Sequence, residues 1–391
     1  MRKITTVAHF HVVPILAGAP RFSLNIFASM GNEDVRKLLF FSKAEASNLE
    51  QFKIFKNAFE KLGVELINVP FLRRKVCFGD AFAIVTFLWL IIKYKPQILN
   101  TVSAKGMVLG AICNIILGRR VSVIHTVQGI PYRPNSKSLK NVFVRYIDHF
   151  FASFVPQIVC VNREYISLYE NIAPSVSYIP NGRDFYPIHN RLERRHNNNH
   201  LNILFVGRLS EQKNIKGMLY VIKELSDRGL LEYYQFQIVG DGELREAAEN
   251  FVRERGLTNY VKFYGWVERT EAFFYTADIF LMISNWEGFG FVFLDAAQFS
   301  LPCVASDIEG IKDIIIDGEN GFLHHPANYA AIATSIVKLG DSFKLRKEMG
   351  EKNFEFCKEN FSLEHVIRQY RDLYLSVLSL KGSGSRGVPK A

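Results

Sequence analysis

ILFVGRLSEQKNIKGML, residues 203–219, runs an apolar stretch into Gly207 and Arg208 and then, past Lys213, into a helix that starts near Asn214. A short apolar strand that ends in glycine and turns straight into a helix is the unit of a doubly wound α/β sheet. Two cations sit in that turn. Positive charge at a helix start opposes the helix dipole, so Arg208 and Lys213 either solvate a loop or await an anion. Strand-end cations beside free helix amides make a site for a diphosphate.

Two further turns repeat the pattern. FQIVGDGELREAAE (236–249) runs a strand into Gly240, Asp241 and Gly242 and then a helix. Such a turn admits a close backbone approach by a ligand, or serves packing alone. It is not a full dinucleotide fingerprint, and no GxxxxGK[ST] occurs in the chain. NWEGFGFVFLDAAQFSLPCVASD (285–307) places Glu287 before Gly288 and Gly290 at the end of an apolar strand, and Asp295 in the following helix. An unpaired acid at a buried helix start is costly, so these carboxylates read as hydroxyl binders. A diphosphate site beside a hydroxyl site describes a sugar nucleotide.

Outward from these turns, the same alternation fills the chain. TTVAHFHVV, KLLFFS, VELINV, QILNTV, VSVIHTV and QIVCV read as strands in the first half. LNILFVG, YQFQIVG, YVKFYG, DIFLMIS, PCVAS and GFLHH do so in the second. Continuous apolar strands separated by helices indicate parallel sheets covered on both faces. The expected organisation is a domain over 1–189, a polar linker NRLERRHNNNH over 190–200, a second domain over 201–360, a helix over 361–380 and a flexible tail over 381–391. The helix rests on the periodicity of FSLEHVIRQYRDLYLSVL (361–378).

Composition narrows the class. Of 391 residues, 48% are hydrophobic and 22% charged, a globular balance too long for one ordinary domain. Five scattered cysteines without a CxxC pair argue against a zinc or disulfide framework and suit a reducing cytoplasm. The first residues read as a buried strand, not a secretory signal. The longest apolar run, AFAIVTFLWLII (81–92), is too short to span a bilayer. Residues 1–160 hold 21 of the 48 Lys/Arg but 8 of the 38 Asp/Glu, a charge of +13, which leaves −3 for the remainder. That asymmetry suits an anionic partner on the N-terminal side, or is a solvated basic face.

The chain resembles the retaining glycosyltransferases of family 4, including bacterial enzymes that build capsule and O-antigen sugars. The resemblance rests on VGRLSEQKN, IVGDGELRE, VKFYGWV, NWEGFGFVFLDAAQFSLPCVASDIEGIKDII and GFLHHP, in the family's order. AGAPRFSLNI (17–26), NTVSAKGMVLGAICNIILGRRVSVIHTVQGIPY (100–132) and YIPNGRD (178–184) add to it. It implies the GT-B fold, two Rossmann-like domains facing a central cleft, with the C-terminal helix crossing back to the N-terminal domain. It assigns Arg208 and Lys213 to the donor diphosphate, and Glu287, with the amides of Phe289 and Gly290, to the donor sugar. Gly18 falls where the family's backbone nears the phosphates. Gly240, Asp241, Gly265 and Val267 fall within the nucleotide-sugar site. Asp295 stands where the family has a ribose-binding glutamate, one methylene longer. Gln128 stands where the family often has histidine, and it can hydrogen-bond a hydroxyl without carrying charge. His9, His11 and His125 read as satisfied strand histidines.

The reaction implied is transfer of a hexosyl or N-acetylhexosaminyl group from a nucleotide sugar, UDP-linked, to a glycan carried on a lipid diphosphate, with retention and without a cofactor. No DxD-like metal pair stands in a suitable place, so cations and helix dipoles are expected to stabilise the leaving diphosphate. A cytoplasmic enzyme, peripheral on an anionic inner membrane face, fits the basic half. PFLRRKVCFGDAFAIVTFLWLIIKYKP (70–96) is then either a core helix or a membrane-surface one. The alternatives are a sugar-nucleotide 2-epimerase on the same architecture and a noncatalytic nucleic-acid binder. The latter has no aromatic–basic interleaving or helix-turn-helix pattern behind it.

Overall fold

A computed structural model of the chain describes residues 5–16, 18–31, 34–46, 48–133, 138–186 and 200–383. The chain forms two compact units, one from residues 1–181 with 363–391 and the other from Gly182–Ser362. Most of the expected linker, 190–199, lies outside the described residues, as does the tail beyond 383.

The first unit is built on a parallel sheet of seven strands: β1 (Thr5–Phe10), β2 (Val35–Phe41), β3 (Val64–Asn68), β4 (Ile98–Val102), β5 (Ser122–Val127), β6 (Gln157–Cys160) and β7 (Val176–Tyr178). Their order is β3-β2-β1-β4-β5-β6-β7. The six apolar runs are all strands. β7, three half-exposed residues at the edge, has no apolar run to announce it. Helices α1 (Ala19–Ala28) and α2 (Leu49–Glu60) lie in the chain before β2 and β3. α3 (Gly79–Tyr94), α4 (Ser103–Leu117), α5 (Leu139–Ala152) and α6 (Glu164–Tyr169) precede β4 to β7. The boundaries have local causes. Pro20 occupies the first turn of α1, where its missing amide costs nothing. The Asn48 side chain caps α2 by accepting from the Gln51 amide at 3.0 Å. Lys95 ends α3 in the left-handed conformation, just before Pro96.

Side chains of α3, α4, α5 and α6 share one buried cluster with the strands, while α1, α2 and the last helix share the cluster on the other face. A sheet covered on both faces needs strands apolar on both, and β4 and β5 are buried at every position.

The second unit repeats the plan with six parallel strands. These are β8 (Leu201–Val206), β9 (Tyr234–Val239), β10 (Val261–Gly265), β11 (Ile279–Met282), β12 (Cys303–Ser306) and β13 (Gly321–His324), in the order β10-β9-β8-β11-β12-β13. Helices α7 (Ile215–Asp227), α8 (Arg245–Glu254), α9 (Glu271–Thr276), α10 (Phe291–Gln298), α11 (Tyr329–Asp341) and α12 (Phe343–Phe361) cover it.

The chain re-enters the first unit at α13 (Leu363–Ser383), whose Val366, Tyr370 and Tyr374 are buried with β1, α1 and α2. The segment after Asn181 groups with the second unit because its bonds lie there. The Arg183 amide donates to the Phe361 carbonyl at 3.0 Å, and the Tyr186 amide donates to Gln298 at 3.2 Å.

Candidate functional site

In a doubly wound sheet the ligand crevice lies at the carboxyl ends of the strands where the order reverses. In the second unit that point is the β8–β11 junction. The loops leaving those two strands are bonded together. The Asn285 amide donates to the Gln212 carbonyl at 2.8 Å, the Asn285 side chain to the Glu211 carbonyl at 2.7 Å, and the Gln212 side chain to the Trp286 carbonyl at 3.2 Å.

Lys213 and Glu287 meet at this junction. Their side chains form an ion pair, at 16% and 7% exposure. Ser284, fully buried, donates its hydroxyl to the same Glu287 oxygen at 2.9 Å. Burying both charges is worthwhile only when the geometry is good and remaining lone pairs are satisfied, and Ser284 satisfies one. The helices that start here supply donors. α7 begins after Asn214, whose own side chain accepts from the Gly217 amide at 3.1 Å. α10 begins after Gly290, which caps it in the left-handed conformation. Phe289 is buried between these features and points its ring at Phe361, centroid to centroid 5.6 Å.

Arg208 and Lys213, paired by the resemblance, are held apart. Arg208 is exposed and turned to Glu243, with its Nη2 at 3.0 Å and Nε at 3.1 Å from one carboxylate oxygen. The Gly-Asp-Gly turn is placed by backbone packing, not by open space. A Cβ on Gly240 would lie 1.9 Å from the Gly207 carbonyl oxygen, and one on Gly242 would lie 2.4 Å from that of Leu209. Packing alone thus requires both glycines, because the loop after β8 fills the space a Cβ would need. Asp241 is exposed and paired with Arg245 at 3.1 Å. Gly265 ends β10 and accepts from the Gly240 amide at 2.7 Å, and Val267 follows, half-buried.

Asp295 is the fifth residue of α10, paired with Arg183 of the PNGRD segment. In the first unit, Gly18 caps α1 at φ +48 with nothing within 4 Å of a built Cβ. Gln128 follows β5 and forms a reciprocal amide pair with Asn181, at 3.1 and 2.8 Å. The position thus carries an uncharged pair in place of an imidazole.

His9, His11 and His125 are buried and satisfied. The Ser23 hydroxyl lies 2.5 Å from His9 Nδ1 and 2.7 Å from His11 Nε2, and Thr101 bonds His125 Nδ1 at 2.9 Å. Burial depresses His11 and His125 to about 3, and burial with the neighbouring His11 pushes His9 well below its ordinary value. Neutral at any physiological pH, they are structural groups.

Ser284, Arg183 and Asn181 escaped sequence reasoning. Each lies within or next to a quoted motif, yet its partner is distant in the chain or shares one loop with it, and no spacing rule connects Arg183 to Asp295 across 112 positions. Among the described residues no three His, Cys, Asp or Glu side chains are grouped to hold a metal. No described helix is long and apolar enough to cross a membrane.

Against this geometry, residues 189–356 match the family described as glycosyl transferases group 1. That match lies within the second unit and spans less than half of the chain. The chain is 26% identical to the UDP-Gal:alpha-D-GlcNAc-diphosphoundecaprenol alpha-1,3-galactosyltransferase of Escherichia coli, over 95% of this chain and 97% of that one. It is 25% identical to the capsular polysaccharide biosynthesis glycosyltransferase CapM of Staphylococcus aureus, over 79% and 84%. Among solved structures it is similar to Anabaena HepE in complex with UDP and glucose, at TM-score 0.76 and 18% identity, covering 95% of this chain and 100% of that one. It is likewise similar to the sucrose-phosphate synthase of Thermosynechococcus elongatus, at TM-score 0.78 and 17% identity, over 96% and 100%. The two parallel Rossmann-like sheets are those of the GT-B glycosyltransferases.

Proposed function

We propose that the chain transfers a hexosyl or N-acetylhexosaminyl group from a UDP-linked donor, with retention and without a metal, to a glycan carried on a lipid diphosphate. The observation that carries this reading is the buried Lys213–Glu287 pair at the reversal point of the second sheet, beside the starts of α7 and α10. A donor diphosphate brings two negative charges to a cation already held near two helix N-termini. That arrangement stabilises charge as it develops on the leaving nucleoside diphosphate. Glu287 is then released to accept bonds from sugar hydroxyls. Arg208 supplies a second cation by leaving Glu243, an exposed pair whose rupture costs little. Asp295, with Arg183 fixing its carboxylate, takes the ribose hydroxyls. Gln128 and Asn181 offer a hydroxyl an amide oxygen and an amide nitrogen.

The lipid diphosphate acceptor comes from the E. coli relative, which spans nearly the whole chain. The test is direct. Purified enzyme is incubated with UDP-galactose, UDP-glucose and their N-acetylated counterparts, each with a short-chain lipid diphosphate bearing one sugar, with and without EDTA. Product with the donor's anomeric configuration, formed equally in EDTA, is expected. An inverted product removes the retaining mechanism, EDTA inhibition reversed by magnesium removes metal independence, and an epimerised donor without acceptor would favour the 2-epimerase.

A further inference from the structure

The first unit turns an apolar layer outward. α5 reads LKNVFVRYIDHFFA, and its large apolar residues Leu139, Phe143, Tyr146 and Phe150 are exposed, while Asp148 is buried. These positions follow the i, i+4, i+7, i+11 spacing of a single helical face. The other side packs Ala152 and half-buried Phe151 on the core, so α5 is apolar both inside and out. α3 does the same on its outer side. Phe78 just before it, then Phe82, Val85, Trp89 and Ile92, form a second exposed stripe, while Ala83, Phe87, Leu90 and Ile91 hold the helix to the core. The helix over 79–94 is thus a core helix and a surface one at once. α4 lies between the two and exposes Ile115 and Ile116.

Charge around these stripes has one sign. Residues 70–154 carry 12 Lys/Arg and 2 Asp/Glu, a net +10, equal to the excess of the whole chain. Both acids are spoken for. Asp80 pairs with Lys105, and buried Asp148 accepts from the Tyr169 hydroxyl at 2.6 Å. Lys140, Lys93, Lys95 and the run Arg73, Arg74, Lys75 are exposed beside the apolar residues. Apolar side chains rimmed by cations match the acyl boundary and phosphate level of an anionic bilayer. They do not match a second copy of the same face, which would set +10 against +10.

We propose that the outer faces of α3 and α5 dock this unit on an anionic membrane, Trp89, Phe143 and Tyr146 entering the headgroup–acyl boundary while the flanking lysines and arginines meet lipid phosphates. The inference rests on the lipid-borne acceptor proposed above and names the surface that reaches it. Insertion is shallow, since no described helix is long and apolar enough to span.

Full-length protein is mixed with phosphatidylcholine vesicles holding none or 30% phosphatidylglycerol, and binding is read by flotation. Trp89→Ser, and Phe143→Ser with Tyr146→Ser, are compared with the parent, together with quenching by lipids brominated on the acyl chain. All these side chains face solvent, so the variants keep the parent's melting temperature. Expected are binding to the phosphatidylglycerol vesicles at least ~10-fold tighter than to phosphatidylcholine, acyl-chain quenching that Trp89→Ser reduces, and ~10-fold weaker binding in each variant. Transfer to a detergent-free, short-chain acceptor should be unchanged in the variants, which separates this surface from the transferase reading. Vesicle binding equal in parent and variants overturns the proposal. So does an absence of binding joined to a dimer that the same substitutions dissolve, which would give the face to a second copy.

Discussion

Lys213 and Glu287 make opposite demands on stability and activity, and substitution separates them. Lys213→Ala leaves a carboxylate buried without its cation, at a cost of about 3–5 kcal/mol. It also removes a preorganised charge from the proposed diphosphate site, at a cost of about 100-fold in kcat. Glu287→Gln keeps size and a hydrogen-bond acceptor for Ser284, but strands Lys213. The double variant Lys213→Met with Glu287→Gln removes both charges and should recover most of the stability lost by either single change, with no recovery of turnover. Urea denaturation and single-turnover rates on the four proteins check this. Recovery of both quantities would show that the pair is structural only, and recovery of neither would show that the two charges are not coupled.

Glycines at the two sheets divide in the same way. Gly240 sits at φ +137 with the Gly207 carbonyl where a Cβ would be, so Gly240→Ala forces the β8 and β9 loops apart and costs about 3 kcal/mol or more. Gly18 is also left-handed, but among the described residues no side chain or backbone beyond its chain neighbours comes within 4 Å of where a Cβ would stand. Gly18→Ala should cost about 1 kcal/mol of stability and raise the donor KM if phosphates approach the backbone there. Melting curves with donor titrations distinguish the two, and a Gly18→Ala protein with the parent's KM would take Gly18 out of the site.

At the scale of elements, α13 is tied to the first sheet by hydroxyls as well as by packing. The Tyr374 hydroxyl accepts from the Asn100 side chain at 2.9 Å and lies 2.9 Å from His9 Nε2, both buried. The Tyr370 hydroxyl makes a longer contact, 3.5 Å to Thr126. Tyr374→Phe leaves two buried polar groups short of a partner and should cost about 1–3 kcal/mol, whereas Tyr370→Phe should cost under about 1 kcal/mol. Equal losses by denaturant titration would mean that ring packing, not the hydroxyl, holds the helix. The periodicity of residues 361–378 discloses this helix, and apolar runs disclose twelve strands, because both signals are local. β7 is too short and too exposed to leave such a run. The ion pairs Lys213–Glu287 and Arg183–Asp295 join residues 74 and 112 apart, so motif reading assigns Lys213, Glu287 and Asp295 a ligand without seeing the side chain that holds each, and passes over Arg183. α5 shows the reverse limit. Its apolar residues stand in the sequence, but only burial shows that a stripe of them faces out.

Across the whole molecule, ionisation gives the two units different responses to acid. His11 and His125 hold folded values near 3 against 6.5 for a free imidazole, because burial disfavours the charged ring. The unfolded chain therefore binds more protons below pH 6.5. Their contribution is complete above that value and is lost as pH falls toward 3. At pH 5 each has cost about 2 kcal/mol, and His9 acts in the same direction. Asp148 acts oppositely. Burial raises it to about 6, so the folded state binds the extra proton between its ordinary range and 6, and stability rises by about 1 kcal/mol as pH falls from 6 to 5. The histidines prevail. All four groups belong to the first unit, so its urea transition should move to lower denaturant between pH 7 and pH 5 by the equivalent of several kcal/mol. The second unit's transition should move less and should respond instead to added UDP, which stabilises only the unit that binds it. Tryptophan emission follows both units, since Trp89 lies in the first and Trp266 and Trp286 in the second. A first-unit midpoint that stays constant, or rises, on acidification would mean that these imidazoles gain solvent or a counter-charge that the packed sheet does not offer them.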